Sequence, residues 1–228
     1  MPYGHIGAVS LSHPGGVMDP WENIKTDREV LADYLETLSP EDWAAQSWCD
    51  EWTVKGVAAH LLVSPTMSKG QIVRSFLASG FNLDKMSAKL VGQMTADMSA
   101  AEIVAATRDT AGVRSAPPGL KPIGVFGEVL THAGDISLAL GKPLDFPVEH
   151  YVIGLDHMKG VQPALGCRKR IEGLKLNATD VDWSTGDGPL VEGDAQHLLS
   201  AMTGRRGALD ALTGAGVAVL AGRVAPQG

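Results

Sequence analysis

The stretch IGVFGEVLTHAGDISLALG, residues 123–141, predicts a long helix that ends before Gly141. Glycine suits the position just after a helix C-terminus, where a left-handed backbone is common. Glu128 and His132 are four residues apart, which places both side chains on one helical face, about 5–6 Å apart at Cβ. A carboxylate and an imidazole placed in this way can bind one metal ion.

Three further helices are predicted before this one. The first carries Leu31, Leu35 and Leu38 at helical spacing. The second begins at Thr53, which can cap its first turn, and Pro65 either kinks this helix or ends it. Four long helices joined by loops predict a bundle. The three are predicted at about 20–38, from 53 onward with a resumed pattern at 67–77, and from the capping box at Ser99 to about 113.

The sequence changes character after Pro143. Alternating apolar residues between Arg170 and Ala178 predict β structure. The tail from Gly214 is rich in Gly, Ala and Val, and it is compatible with one last strand. The fold class predicted is therefore mainly α with a smaller α+β part. The remaining predicted elements are helices at about 151–165 and 194–202.

These patterns divide the chain into three predicted parts. Residues 1–18 contain several Gly and Pro residues and are predicted to form a flexible leader. Residues 19–148 form the helical bundle, and residues 149–228 form a small C-terminal α+β domain. The sequence contains no visible internal repeat.

Composition narrows the classes of partner. The chain has 228 residues and a formal net charge of −7, which argues against nucleic acid and anionic membrane because both need a basic face. Two cysteines, Cys49 and Cys167, are too few for a disulfide scaffold and indicate a cytoplasmic protein with reduced thiols. Neither a membrane-spanning run of 18 apolar residues nor a signal-peptide pattern is found.

A metal site needs a third ligand besides Glu128 and His132, and His60 on the second predicted helix is the candidate. Two imidazoles and one carboxylate match catalytic zinc sites, which use three protein ligands and leave one position open. The alternatives are a solvated Glu/His pair on an exposed helix and an ordinary core histidine at position 60. Trp52, which precedes the second helix, is predicted to pack and not to take part in chemistry.

Three blocks of the sequence carry a resemblance to a known family. LSPEDWAAQSWCDEWTVKGVAAHLL, residues 38–62, resembles the N-terminal signature of mycothiol-dependent maleylpyruvate isomerase-like proteins, which belong to the DinB-like metal-binding four-helix bundles. GEVLTHAGDISLALG, residues 127–141, is similar to the fourth-helix motif of that family. Residues 176–205 resemble its small α+β domain. The resemblance implies a DinB-like four-helix bundle followed by a small C-terminal α+β domain.

The resemblance also implies a function. It implies a divalent metal, usually zinc, bound by His60, Glu128 and His132, and mycothiol as the thiol cosubstrate. The predicted protein is a transferase or isomerase in which a metal-bound thiolate attacks a small electrophile such as maleylpyruvate. Its expected partners are that electrophile and a low-molecular-weight thiol. A non-catalytic metal- or thiol-binding module of the same fold and a metal-dependent hydrolase are the alternatives.

Two further residues are candidates for the chemistry. The resemblance places Arg205 near the cleft between the domains, where it would bind a substrate carboxylate. Arg206 and Arg223 are competitors for that role. Asp135, three residues after His132, either orients a ligand imidazole, acts as a fourth ligand, or is simply solvated.

Overall fold

The computed structural model describes residues 19–161 and 165–224, so the predicted leader at 1–18 lies outside the described residues. Four of the helices in the N-terminal part form a bundle in which α1 packs on α6 and α7, and α3 packs on the same two helices. A hairpin of α4 and α5 is added to it through α3. The helices are α1 (Pro20–Glu36), α2 (Pro40–Ala44), α3 (Val54–Thr66), α4 (Lys69–Ala78), α5 (Leu83–Asp97), α6 (Ala100–Asp109) and α7 (Pro122–Leu140).

Local chemistry fixes where the bundle helices begin and end. The Thr53 side chain accepts a hydrogen bond from the Gly56 backbone at the start of α3, and Ser99 forms the expected capping box at the start of α6. Pro65 lies in the last turn of α3, so it ends this helix and does not kink it. Gly141 follows α7 in the left-handed conformation, with φ of 61°.

The C-terminal part combines short helices with a small sheet. Strand β1 lies in the middle of this sheet, antiparallel to β2 and parallel to β3. Leu176 of β1 is opposite Thr185 on one side and Val191 on the other. The elements are α8 (Val148–Met158), α9 (Cys167–Ile171), β1 (Lys175–Ala178), β2 (Ser184–Thr185), β3 (Leu190–Gly193), α10 (Ala195–Met202), a 3₁₀ helix (Arg206–Ala211) and α11 (Val217–Ala221).

Two C-terminal predictions differ from the structure. The strand predicted after Gly214 is wrong, since this segment forms α11, and only Thr213 pairs with Glu192 in an isolated bridge. Leu220, the one buried residue of α11, anchors this turn of helix, so the apolar tail packs on one face without entering the sheet. The predicted helix at 151–165 ends at Met158, and residues 162–164 are outside the described part of the chain.

One hydrophobic core runs through both parts of the chain. It includes Leu31 of α1, Phe126 of α7, Leu155 of α8 and Leu198 of α10, all at most 1% exposed. The predicted domain boundary near residue 148 stays a prediction. Helix α8, which begins there, packs against both α7 and α10, so contacts cross this position.

Helix α7 is the central element of this arrangement. By length and composition it is the one helix among the described residues that could cross a membrane, but 61% of the tested window is buried. Its apolar character therefore matches a core helix that contacts α1, α3, α8 and α10. This position brings Glu128 and His132 into the interior of the bundle.

Candidate metal centre

Three side chains from two helices meet at the centre of the bundle. His60 comes from α3, and Glu128 and His132 come from α7; their potential ligand atoms all lie within 4.8 Å of one another. His60 Nε2 is 3.1 Å from Glu128 Oε1, and the two imidazole rings are 4.9 Å apart at an angle of 75°. The structure thus brings together the three residues proposed as metal ligands.

The donor set fits a divalent metal. In a tetrahedral zinc site, bonds of about 2.0–2.1 Å place two ligand atoms about 3.3 Å apart. The distance of 3.1 Å between His60 Nε2 and Glu128 Oε1 is close to that value. Three protein ligands leave a fourth position for an exogenous molecule, as in catalytic zinc sites. Structural zinc sites instead use four protein ligands.

A buried hydrogen-bond chain orients one of the two imidazoles. His132 Nδ1 is 2.9 Å from Asp135 Oδ2, and because a carboxylate only accepts hydrogen bonds, Nδ1 carries the proton. The other ring nitrogen of His132 then keeps its lone pair for a metal. Arg205 donates to both oxygens of Asp135, from Nε at 2.8 Å and from Nη2 at 2.7 Å. Asp135 is fully buried, so this pair of partners holds its position.

Electrostatics sets the protonation states of these groups. Burial alone would raise the pKa of the Glu128 carboxyl, but the hydrogen bond and charge of His60, with the charges of His132 and Arg28, lower it below its ordinary value. Burial lowers the pKa of His132, and this outweighs the opposing hydrogen bond to Asp135. Glu128 is therefore ionised and His132 neutral near pH 7, which are the states that bind a metal cation.

The position of Arg205 changes its expected role. Two of its five donors go to Asp135, and Nη1 donates to the Thr203 carbonyl at 3.1 Å. Its Nε edge, which would bind a carboxylate bidentately, is already occupied by Asp135. Arg206 is exposed, and Arg223 donates to backbone carbonyls instead of facing the site. Arg205 remains the one of the three arginines that lines a cavity beside His132.

Two cavities meet at Glu128. One, of about 460 Å³, is lined by Arg28, His60 and Glu128 together with mainly apolar residues of α3, α5 and α7. The other, of about 280 Å³, is lined by Glu128, His132 and Arg205. A larger cleft of about 590 Å³ beside Lys159 contains none of the candidate ligands. The candidate metal centre is thus accessible from two sides.

Two residues next to this centre were not assigned a function from the sequence. The Trp52 ring lies 4.6 Å from the His60 ring and is tilted by 31° from it, so this tryptophan covers a candidate ligand. Arg28 on α1 is only 4% exposed and lines the larger cavity. A sequence signal for Arg28 did exist, since it shares the buried stripe of Ile24, Leu31 and Leu35 at spacings of four, three and four.

Cys49 forms a second group of potential ligands with His132 and Asp135, again within 4.8 Å. Burial raises the pKa of the Cys49 thiol to about 11, and the charge of Asp135 adds to this effect. A protonated thiol is a poor ligand and a poor nucleophile. Cys49 is therefore poorly suited to bind a metal, and the set of His60, Glu128 and His132 is the better candidate site.

Comparisons with known proteins agree with this arrangement. The family model "Mycothiol maleylpyruvate isomerase N-terminal domain" matches residues 25–121. Two solved structures share the fold: a crystal structure of the mycothiol-dependent maleylpyruvate isomerase, with a TM-score of 0.51 and 16% identity, and one of its variants with a histidine replaced by alanine, with 0.56 and 12%. Each comparison covers 86% of this chain and 91% of the other chain.

No curated protein sequence matches the chain significantly. The family match runs from within α1 to the residue before α7, so it covers three of the four bundle helices. The structural matches extend over the C-terminal part. By these comparisons residues 25–121 are similar to the mycothiol maleylpyruvate isomerase N-terminal domain family, and the chain as a whole shares the fold of the mycothiol-dependent maleylpyruvate isomerase.

Proposed function

We propose that this protein is a metal-dependent, mycothiol-dependent isomerase or S-transferase acting on a small electrophile such as maleylpyruvate. The observation that carries the proposal is the convergence of His60, Glu128 and His132 at the junction of two cavities. The similarity of residues 25–121 to the mycothiol maleylpyruvate isomerase family supports mycothiol as the cosubstrate. Zinc is the default metal, because a His/His/Glu set accepts several divalent ions and availability decides among them.

The residues of the chain have separate tasks in this proposal. His60, Glu128 and His132 would hold the metal, and a divalent ion bound there would lower the pKa of the cosubstrate thiol so that it ionises near neutral pH. Asp135 keeps the proton of His132 on Nδ1, and Arg205 keeps Asp135 ionised and fixed in place. The apolar walls of the larger cavity exclude water from the electrophile.

The same site can give two products. The thiolate sulfur adds to one carbon of an activated cis double bond, and the electron pair of that bond moves to the adjacent carbonyl as an enolate. The former double bond rotates, the pair returns, the C–S bond breaks, and the trans isomer leaves with the thiolate regenerated. If the enolate takes up a proton instead, the product is a stable thioether and the protein acts as an S-transferase.

Mycothiol dependence also supports a cytoplasmic location for the protein. Cys49 and Cys167 are both free thiols, as expected in a reducing compartment. This part of the proposal predicts that the protein is found with the soluble cytoplasmic fraction when cells are separated.

Turnover measurements test the proposal. The zinc-loaded protein is expected to isomerise maleylpyruvate, or to conjugate an electrophile from a panel, only when mycothiol is present. His132→Ala should lose this activity by at least about a hundredfold, since a missing ligand removes the metal. His197→Ala is the matched control, because His197 also has an acidic partner, Asp194, but lies outside the ligand set.

Three results would contradict the proposal. Turnover by the His132→Ala protein with a full complement of metal would exclude the assigned site. Hydrolysis without thiol would favour the metal-dependent hydrolase. Tight mycothiol binding without turnover of any electrophile in the panel would favour the non-catalytic module.

A further inference from the structure

Arg28 occupies a position where the helix pattern calls for an apolar residue. It lies on α1, one turn after Ile24 and just before Leu31, on the stripe that faces the core. Its residue surface is 4% exposed, so little of this side chain reaches solvent. A buried charge is costly to a protein unless it is paired, so this position needs an explanation.

The described residues accept few of the hydrogen bonds that the Arg28 guanidinium can donate. Nη1 donates to the Val113 carbonyl at 3.0 Å, which is its single hydrogen bond to residues 19–161 and 165–224. Within the same residues no carboxylate approaches it to ion-pair distance. Burial lowers the pKa of Arg28, and the more distant charge of Glu128 only partly opposes this effect. Arg205, the other arginine of the centre, differs because Asp135 already neutralises it.

Arg28 also lines the cavity that leads to the candidate metal centre. The cavity has a volume of about 460 Å³, which is within the range of small-molecule sites. Arg28, His60 and Glu128 are the ionisable residues of its described lining, and the remaining walls are mostly apolar, with residues such as Ile72 and Met86. An occupant therefore meets one fixed cation, the ligand residues and an otherwise apolar surface.

We propose that Arg28 is the residue that binds the carboxylate of the electrophile in this cavity. The inference rests on the proposed function and adds the residue that selects an electrophile with a carboxylate. A carboxylate matches the planar guanidinium with two parallel hydrogen bonds, and four donors of Arg28 are left for it by the described residues.

The balance of charges in the cavity also favours a carboxylate over other classes of ligand. As ligands, two imidazoles would add no charge and one carboxylate would add a single negative charge, so a divalent metal bound there would keep a net positive charge and, together with Arg28, favour an anion. Cationic molecules would face two positive charges. Sugars with many hydroxyl groups would lose hydrogen bonds to water against the apolar walls. Arg28, His60 and Glu128 line the same cavity, so a short carboxylic acid held by Arg28 would share that cavity with two of the candidate ligands.

Binding of maleate to the zinc-loaded protein tests this inference without requiring turnover. Maleate is a small unsaturated dicarboxylate, and dimethyl maleate is its uncharged counterpart. Calorimetric titration should show that Arg28→Met weakens maleate binding by about tenfold or more and leaves dimethyl maleate unaffected. Arg28→Lys keeps the charge and is expected to be intermediate. Arg114→Met, at an exposed arginine paired with Asp19 and Glu22, is the matched control and should bind maleate normally.

Thermal unfolding of the ligand-free variants completes the test. Arg28→Met should not lower Tm, because an unpaired buried charge does not stabilise the fold. Maleate binding that is equal in the wild type and in Arg28→Met, or no maleate binding at about 10 mM, would overturn the inference. A fall in Tm with unchanged maleate binding would make Arg28 a structural residue. These outcomes are separate from failure of the proposed function, which would be seen as absent metal or absent thiol-dependent turnover.

Discussion

At the residue scale, the hydrogen-bond chain of His132, Asp135 and Arg205 connects the proposed metal centre to the C-terminal part of the protein. Asp135 accepts hydrogen bonds from both neighbours and is fully buried. Burial would raise its pKa, but the hydrogen bonds from Arg205 and His132 lower it below the ordinary value of 3.8. Asp135 is therefore ionised at all pH values where the protein is expected to work.

Replacing Asp135 by Asn should weaken the metal site without removing a ligand. We expect metal affinity to fall by about 10–100-fold, because the imidazole of His132 loses the acceptor that orients it. Competition with a chromophoric chelator measures this change. Asp156→Asn is the control, since Asp156 pairs with Lys159 and Trp183 away from the centre. Equal metal affinity in wild type and Asp135→Asn would show that Asp135 does not orient His132.

Stability should respond to the same change. Asp135→Asn leaves Arg205, whose side chain is 13% exposed, without its counter-charge, and the free energy of unfolding should fall by about 3 kcal/mol near pH 7. Because the pKa of Asp135 is lowered in the folded state, its contribution is present above pH 3.8 and is lost as the pH falls through the lowered value. The difference in stability between wild type and variant should therefore shrink in acid, as urea titrations at several pH values would show.

The sequence predicted part of this site. The helical spacing of Glu128 and His132 placed them on one face, and residue type pointed to His60. The pairing of Asp135 with Arg205 joins residues that are 70 positions apart, so it depends on the docking of α10 against α7 and no local pattern contains it. Arg28 was missed because a charged residue on a helix is normally expected to face solvent.

At the element scale, the helices with clear caps were predicted best. The capping box at Ser99 and Gly141 after α7 act locally, so the sequence alone identifies them. Helix α5 was not predicted, because Met86, Leu90 and Val91 are its buried residues among 15 and make a weak apolar stripe. It is stabilised by packing on α3 and not by its own pattern.

Hydrogen exchange should show lower protection of backbone amides in the α4–α5 hairpin than in the bundle. Ile72 is the one buried residue of α4, and it belongs to a small separate cluster with Val63, Met86 and Leu90. Most of α7, in contrast, lies in the main core. Backbone amides of α4 should therefore exchange at least about tenfold faster than those of α7, because local opening needs less free energy there. Equal protection of both helices, measured by mass spectrometry, would contradict this division.

At the scale of the whole molecule, the proposed metal centre depends on both parts of the chain. The bundle supplies His60, Glu128 and His132, while the segment after α10 supplies Arg205, and α8 contributes to the wall of the smaller cavity. The continuous core across residue 148 holds these elements together. Without the C-terminal part, Asp135 would have no Arg205 as its counter-charge, so the C-terminal part contributes to the site.

Metal analysis tests the central claim most directly, because it asks whether α3 and α7 form one site. After zinc loading and extensive dialysis, the wild type and the control His197→Ala should each keep about one zinc ion per chain. His60→Ala should keep less than about a tenth of that, with circular dichroism showing an unchanged helical fold. A His60→Ala protein that is folded and still binds one zinc ion as tightly as the wild type would contradict the account.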